Sequence, residues 1–224
     1  MADGPGTAID LVALTTAHSY EDSVSWALTP SGISIDGATP QGSGGPVVTM
    51  RRIWTAFGPS ITTWAGQFQV PVELIAATIA TESSGKADAL RQEPGYVSDE
   101  ATPDKVSPGL MQTLISTARA ALGRSDIDRA WLLVADNSIQ AGTAYIAGQS
   151  RVSLLDPPKV ACAYNAGGIH HQAGIANRWK MRQFPIGSAA HADRFVEWFN
   201  DCFALFAELG DAPAMSFYQL LRAA

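Results

Sequence analysis

Cysteine is nearly absent: Cys162 and Cys202 are the only two in 224 residues. Their separation suggests neither a disulfide framework nor a zinc site. Both lie in apolar helical contexts and read as buried small hydrophobes. A cysteine nucleophile served by His170, His171 or His191 needs spatial adjacency that spacing does not show. Charge is also sparse, at 16% of residues and a net −6, and no basic cluster exceeds Met50-Arg51-Arg52. That excludes global attraction to an anionic polymer and argues against a nucleic-acid role. No run approaches the ~20 apolar residues needed to cross a bilayer. The start, Met1-Ala2-Asp3-Gly4-Pro5-Gly6, is acidic and turn-rich instead of basic then apolar, so no signal peptide is expected. Internal repeats and heptads are missing. The His170-His171 pair lacks the i, i+4 spacing of a helical metal site, and no metal or cofactor is expected.

What is present suits one folded core, since 46% of residues are hydrophobic. Residues 1–48 are rich in Gly, Pro, Ser and Thr, with Val24–Leu28 and Ile33–Ile35 flanking Thr29-Pro30-Ser31-Gly32 like a short hairpin. Gly42-Ser43-Gly44-Gly45-Pro46 then reads as a linker or extended arm. Helical patterns are expected at about 49–68, 71–83, 113–122, 137–150, 157–164, 189–208 and 213–222. The fold class expected is therefore mainly α, with residues 1–48 as a small irregular or β extension and 49–224 as the main domain. Phe195, Trp198, Phe199, Cys202, Phe203 and Phe206 recur at three- and four-residue intervals, a core stripe. Trp131, Tyr145 and Trp179 are assigned first to core packing.

Three segments carry chemistry: Thr81-Glu82-Ser83, Gly109-Leu110-Met111-Gln112 and Ala163-Tyr164-Asn165-Ala166-Gly167-Gly168. Leu74, Ile75, Thr78 and Ile79 share one helical face, and Glu82 lies seven and eight residues past Ile75 and Leu74, on that same side. A carboxyl there is desolvated, and desolvation favours its protonated form. A protonated carboxyl beside a glycosidic oxygen is a general acid, and once ionised it is a base. Taken alone, Glu82 also reads as a helix-end glutamate paired with a lysine or capping a neighbour. Glycine in the second segment permits close backbone approach to a ligand, and Gln112 offers both donor and acceptor. Tyr164 and Asn165 add a phenol and an amide before a Gly-Gly turn.

Intact and in this order, the three segments resemble the soluble lytic transglycosylase family, lysozyme-like enzymes that cut the glycan strands of peptidoglycan. The resemblance covers roughly residues 70–200. It implies a lysozyme-like catalytic domain with Glu82 as sole acid and base and with Ser83 orienting the strand and the carboxyl group. It further implies that Gly109, the backbone around Met111, and Gln112 approach the N-acetylmuramoyl sugar. Tyr164 would hydrogen-bond Glu82, and Asn165 would contact an acetamido group. The substrate's 2-acetamido oxygen would stabilise the developing cation, and the muramoyl 6-hydroxyl would close a 1,6-anhydro end.

The family's hydrolytic branch, the goose-type lysozymes, adds aspartates that help water attack. Between Glu82 and Gly109 stand Asp88, Glu93, Asp99, Glu100 and Asp104, of which Asp99 and Asp104 are retained as candidate second carboxylates and the others read as solvated. Residues 91–108 hold three prolines and no sustained period, so they read as an irregular cleft loop in which Tyr96 stacks on a sugar or anchors the loop. A third reading, from a different class, is a non-catalytic wall-binding or structural virion component. The expected partner is peptidoglycan; a phage, as an endolysin passing a holin-type pore or as a virion component, or a secretion machine would deliver the protein to the wall or periplasm.

Overall fold

A computed structural model describes residues 9–223, so the acidic, turn-rich segment Met1–Gly6 lies outside the described residues. The chain forms α1 (Leu11–Thr15), a hairpin of β1 (Trp26–Thr29) and β2 (Gly32–Ile35), then α2 (Val48–Phe68) and α3 (Val72–Ser83). A second small pair follows, β3 (Leu90–Gln92) and β4 (Val106–Pro108). The rest is helical: α4 (Ile115–Leu122), α5 (Arg129–Leu132), α6 (Ala135–Gly148), α7 (Ser150–Ser153), α8 (Pro157–Ala166), α9 (Ala190–Leu209) and α10 (Phe217–Ala223). The architecture is mainly α, as expected.

Helix α3 is the axis of the molecule. Eleven of its twelve residues are buried, and Glu82 is the exception. It packs against α2 and α9 and also touches α6 and α8. The sequence suggested one apolar face, but a helix apolar on nearly all sides belongs in the middle of a bundle. The stripe of α9 supplies much of the surrounding core: Phe195, Phe199, Cys202, Phe203 and Phe206 are buried, while Trp198 is only half-buried. Cys162 and Cys202 are both buried free thiols.

The boundary expected at residue 48 is not a boundary in the packing. The hairpin forms in the expected place, pairing Trp26 with Ile35 and Thr29 with Gly32. Its Trp26, Leu28 and Ile33 belong to the same hydrophobic core as α3 and α9. The Trp26 indole N–H donates to Asp156 Oδ1 at 2.8 Å, and Asn200 accepts the Ile33 N–H at 2.7 Å. The Gly-rich arm is pinned too, through the Ser43 N–H, 3.2 Å from Asp201 Oδ1. These contacts join residues far apart along the chain, which local pattern cannot show.

A second difference concerns residues 91–108, read as irregular. Their ends pair antiparallel, Leu90 with Pro108 and Gln92 with Val106, enclosing a loop over 93–105. Three-residue strands are too short to display alternation. Val106 joins a smaller core with Ile115, Ala118, Ile127, Leu132 and Ala141, against which Tyr96 and Trp131 pack.

One buried acid tunes stability. Glu73, fully buried in the first turn of α3, accepts the N–H groups of Phe217 and Tyr218 at 3.0 and 2.9 Å, fastening α10 to the core. Burial pushes its carboxyl up to about 7, against the opposing pull of those N–H donors. A folded-state value above the unfolded one means stability is greatest below about pH 4.5 and is lost as pH rises to about 7. Glu73→Gln should therefore gain on the natural protein by on the order of 3 kcal/mol between those limits. Urea denaturation of both proteins across pH checks this; a pH-independent difference would contradict it.

Candidate active site

Glu82 sits in the last turn of α3, with 18% of its side chain exposed. Burial raises its carboxyl to about 7, against the fields of Arg91 and Arg194, which favour the charge. The helix C-terminus works in the same direction as burial, because its partial negative charge opposes a carboxylate. Among the described residues no donor hydrogen-bonds this carboxyl. An acid that is dry, reachable and unsatisfied holds a proton near neutral pH and can release it to a ligand.

The three motif segments converge around this side chain, but mostly by supporting it. Ser83 is buried, and its hydroxyl donates to Leu110 O at 2.6 Å, locking the Gly109–Gln112 loop onto α3. Met111 is also buried: its N–H donates to Ser138 Oγ at 3.0 Å, and its carbonyl accepts the Tyr164 hydroxyl at 2.8 Å. Thr113 Oγ lies 2.8 Å from the same phenol oxygen and, with that proton committed to Met111 O, must be the donor. Gln112 donates to Ala89 O at 3.1 Å and Gly109 O at 2.8 Å, holding the β3–β4 pair to the loop.

Several of the expected site groups have partners within the protein. The Ser83 hydroxyl and the Met111 N–H and carbonyl are engaged within the protein. Tyr164 makes no hydrogen bond to Glu82; its coupling is electrostatic, since burial and then the Glu82 charge both raise the phenol well above its ordinary value. Gly109 is required by the packing of its own loop: at φ +87° its α-carbon faces the Leu132 carbonyl, and an added Cβ would overlap that oxygen. Asn165 accepts the Phe184 N–H at 2.6 Å through Oδ1, a contact within the protein.

The second-carboxylate candidates are not joined to Glu82. Asp99 is held by Arg129 at 2.6 and 2.9 Å and accepts the Tyr96 hydroxyl at 2.8 Å. The Arg129 guanidinium holds its carboxyl below the usual range. Asp104 is 61% exposed beside Lys105. Tyr96 is thus a loop anchor. Trp179 is buried with its indole N–H on Asp193, while Trp131 and Tyr145 are half-buried, Trp131 under the Arg124 guanidinium.

The neighbour of Glu82 that sequence reasoning missed is His191. On α9, its Nε2 lies 3.7 Å from Glu82 Oε1, and its side chain is 12% exposed. Burial, then the Arg194 charge, lowers the imidazole to about 4, so between about pH 4 and about 7 it is neutral while Glu82 is protonated. The available signal was its position four residues before Phe195, on the buried stripe of α9.

Residues 59–183, more than half of the chain, match the family model described as the transglycosylase SLT domain. No curated protein matches the chain. Among solved structures, the X-ray structure of an inactive mutant of the lytic transglycosylase Slt from Pseudomonas aeruginosa aligns with a TM-score of 0.52 and 18% identity. The alignment covers 75% of this chain and 27% of that one, so this chain spans about a quarter of the neighbour's length. The likeness shows a common fold. The matched span contains Glu82, the Gly109–Gln112 loop and Tyr164-Asn165, and on that match this chain belongs to the transglycosylase SLT domain family.

Proposed function

We propose that the protein cleaves the β-1,4 bond between N-acetylmuramic acid and N-acetylglucosamine in peptidoglycan, by lytic transglycosylation, with Glu82 as acid and then base. The observation that carries this reading is a lone, nearly buried carboxyl held near pH 7 at the end of α3, with no second acid among the described residues acting on it. Its proton passes to the glycosidic oxygen as the anomeric C–O bond breaks, leaving the N-acetylglucosamine hydroxyl. The muramoyl acetamido oxygen stabilises the cation. The 6-hydroxyl oxygen then bonds the anomeric carbon while its proton returns to Glu82, which restores the enzyme and closes the anhydro ring. No water is consumed.

Engagement of Asp99 by Arg129 supports transglycosylation over hydrolysis, because a carboxylate spent on an ion pair does not direct water. Asp99→Asn should keep activity within roughly threefold and leave the products unchanged, since its contribution is loop anchoring. Mass spectrometry of digested peptidoglycan reads both results. Anhydro-muramoyl ends are expected, and reducing muramoyl ends would overturn the reading. Delivery to the wall by a phage or a secretion machine is part of this proposal. Immunoblotting of purified particles and secreted fractions tests that part.

A further inference from the structure

The His191 ring is held in one tautomer by a chain of groups whose direction can be derived. The Phe184 backbone N–H is only a donor, so the Asn165 atom 2.6 Å away must be the amide oxygen. The Asn165 amide nitrogen then faces His191 Nδ1 at 3.4 Å and donates to it. A neutral ring whose Nδ1 accepts carries its proton on Nε2. That N–H is the atom 3.7 Å from Glu82 Oε1. The other charges in reach are Arg194 on α9, beside both Glu82 and His191, and Arg91 on β3, beside Glu82.

From this geometry we infer that His191 is a positioning residue for the reaction, a neutral Nε2–H donor aimed by Asn165 at the carboxylate that Glu82 becomes after protonating the leaving oxygen. The inference rests on the proposed role of Glu82. At 3.7 Å the contact is loose while Glu82 is protonated, and it tightens when charge develops on the carboxyl oxygen, which is when stabilisation lowers the barrier. The same tautomer bars a second role. Nε2 has no free lone pair to accept a proton from water, and Nδ1 is occupied by Asn165, so His191 does not act as the base of a hydrolytic branch. The Asn165 amide, which from sequence suggested an acetamido contact, is assigned instead to orienting His191.

Two measurements test the inference on the full chain. In 15N-histidine NMR at about pH 6, below the ionisation of Glu82, His191 should show a protonated Nε2 and a bare Nδ1; the opposite tautomer overturns it. On soluble glycan strands, His191→Phe should lower kcat by roughly tenfold with KM within about twofold, the scale of one weakened charge-stabilising donor. It should also move the alkaline limb of the pH profile upward, because a carboxylate without its donor holds its proton more tightly. His191→Gln, which keeps an N–H at that reach, should recover most of the rate. An unmoved limb, or equal losses in both variants, overturns the inference in favour of packing alone. Product analysis of the unsubstituted protein reports on the transglycosylation reading separately, so the two proposals can fail independently.

Discussion

Glu82→Gln should abolish glycan cleavage while leaving the protein folded and, above about pH 7, more stable. Glutamine keeps the shape of the side chain but has no proton to give, and loss of a general acid costs roughly 10²- to 10⁴-fold in rate. With no second carboxylate among the described residues acting on the site, nothing inherits the task. The natural protein should itself lose activity as pH rises through about 7, because the carboxyl then ionises before it meets the substrate. The stability gain has the same origin as the proposed acid role. A carboxyl whose folded value is raised from 4.5 to about 7 makes the folded state costlier as pH rises between those values, and a neutral amide in its place removes that dependence. Zymography with product analysis, paired with urea denaturation at about pH 5 and about pH 8, on either side of that ionisation, reads both effects. If natural and variant proteins are equally inert on every wall preparation, the domain is a wall-binding or structural component instead.

Gly109→Ala should be the most damaging small substitution in the motif, destabilising by roughly 3 kcal/mol from left-handed strain and overpacking together. The residue has φ +87°, and an added methyl would overlap the Leu132 carbonyl oxygen and stand 3.0 Å from Ser138 Oγ. Neither neighbour yields easily, since one is backbone and the other receives the Met111 N–H. The loop carrying Met111 and Gln112 would lift from α6, withdrawing the carbonyl that Tyr164 holds. Denaturant midpoints would show the loss before any activity is measured. A shift below about 0.5 kcal/mol would restore the reading in which this glycine admits a ligand.

The motif chemistry was legible because it is local. A helix entered through Pro71 and carrying Glu82 beside apolar residues can be read from spacing, and so can the stripe of α9 and most helix positions. Short elements escaped: α1, α5 and α7 have only four or five residues each, too few for a period to repeat. Roles escaped more often than positions. Ser83, Met111, Gln112 and Tyr164 converge as the motifs suggested, yet each spends its polar atoms on another part of the protein.

The chain on its own determined a mainly helical domain, one carboxyl in an apolar setting, and the three segments that accompany it, because these depend on periodicity and neighbouring residue types. Tertiary structure alone decided that Asp99 belongs to Arg129, that residues 9–48 join the main core, and that His191 on α9 faces Glu82 on α3. Each of those facts is a pairing of partners distant along the chain. Hydrogen bonds and desolvation act through space, and only the packed helices bring such partners within their few-ångström reach.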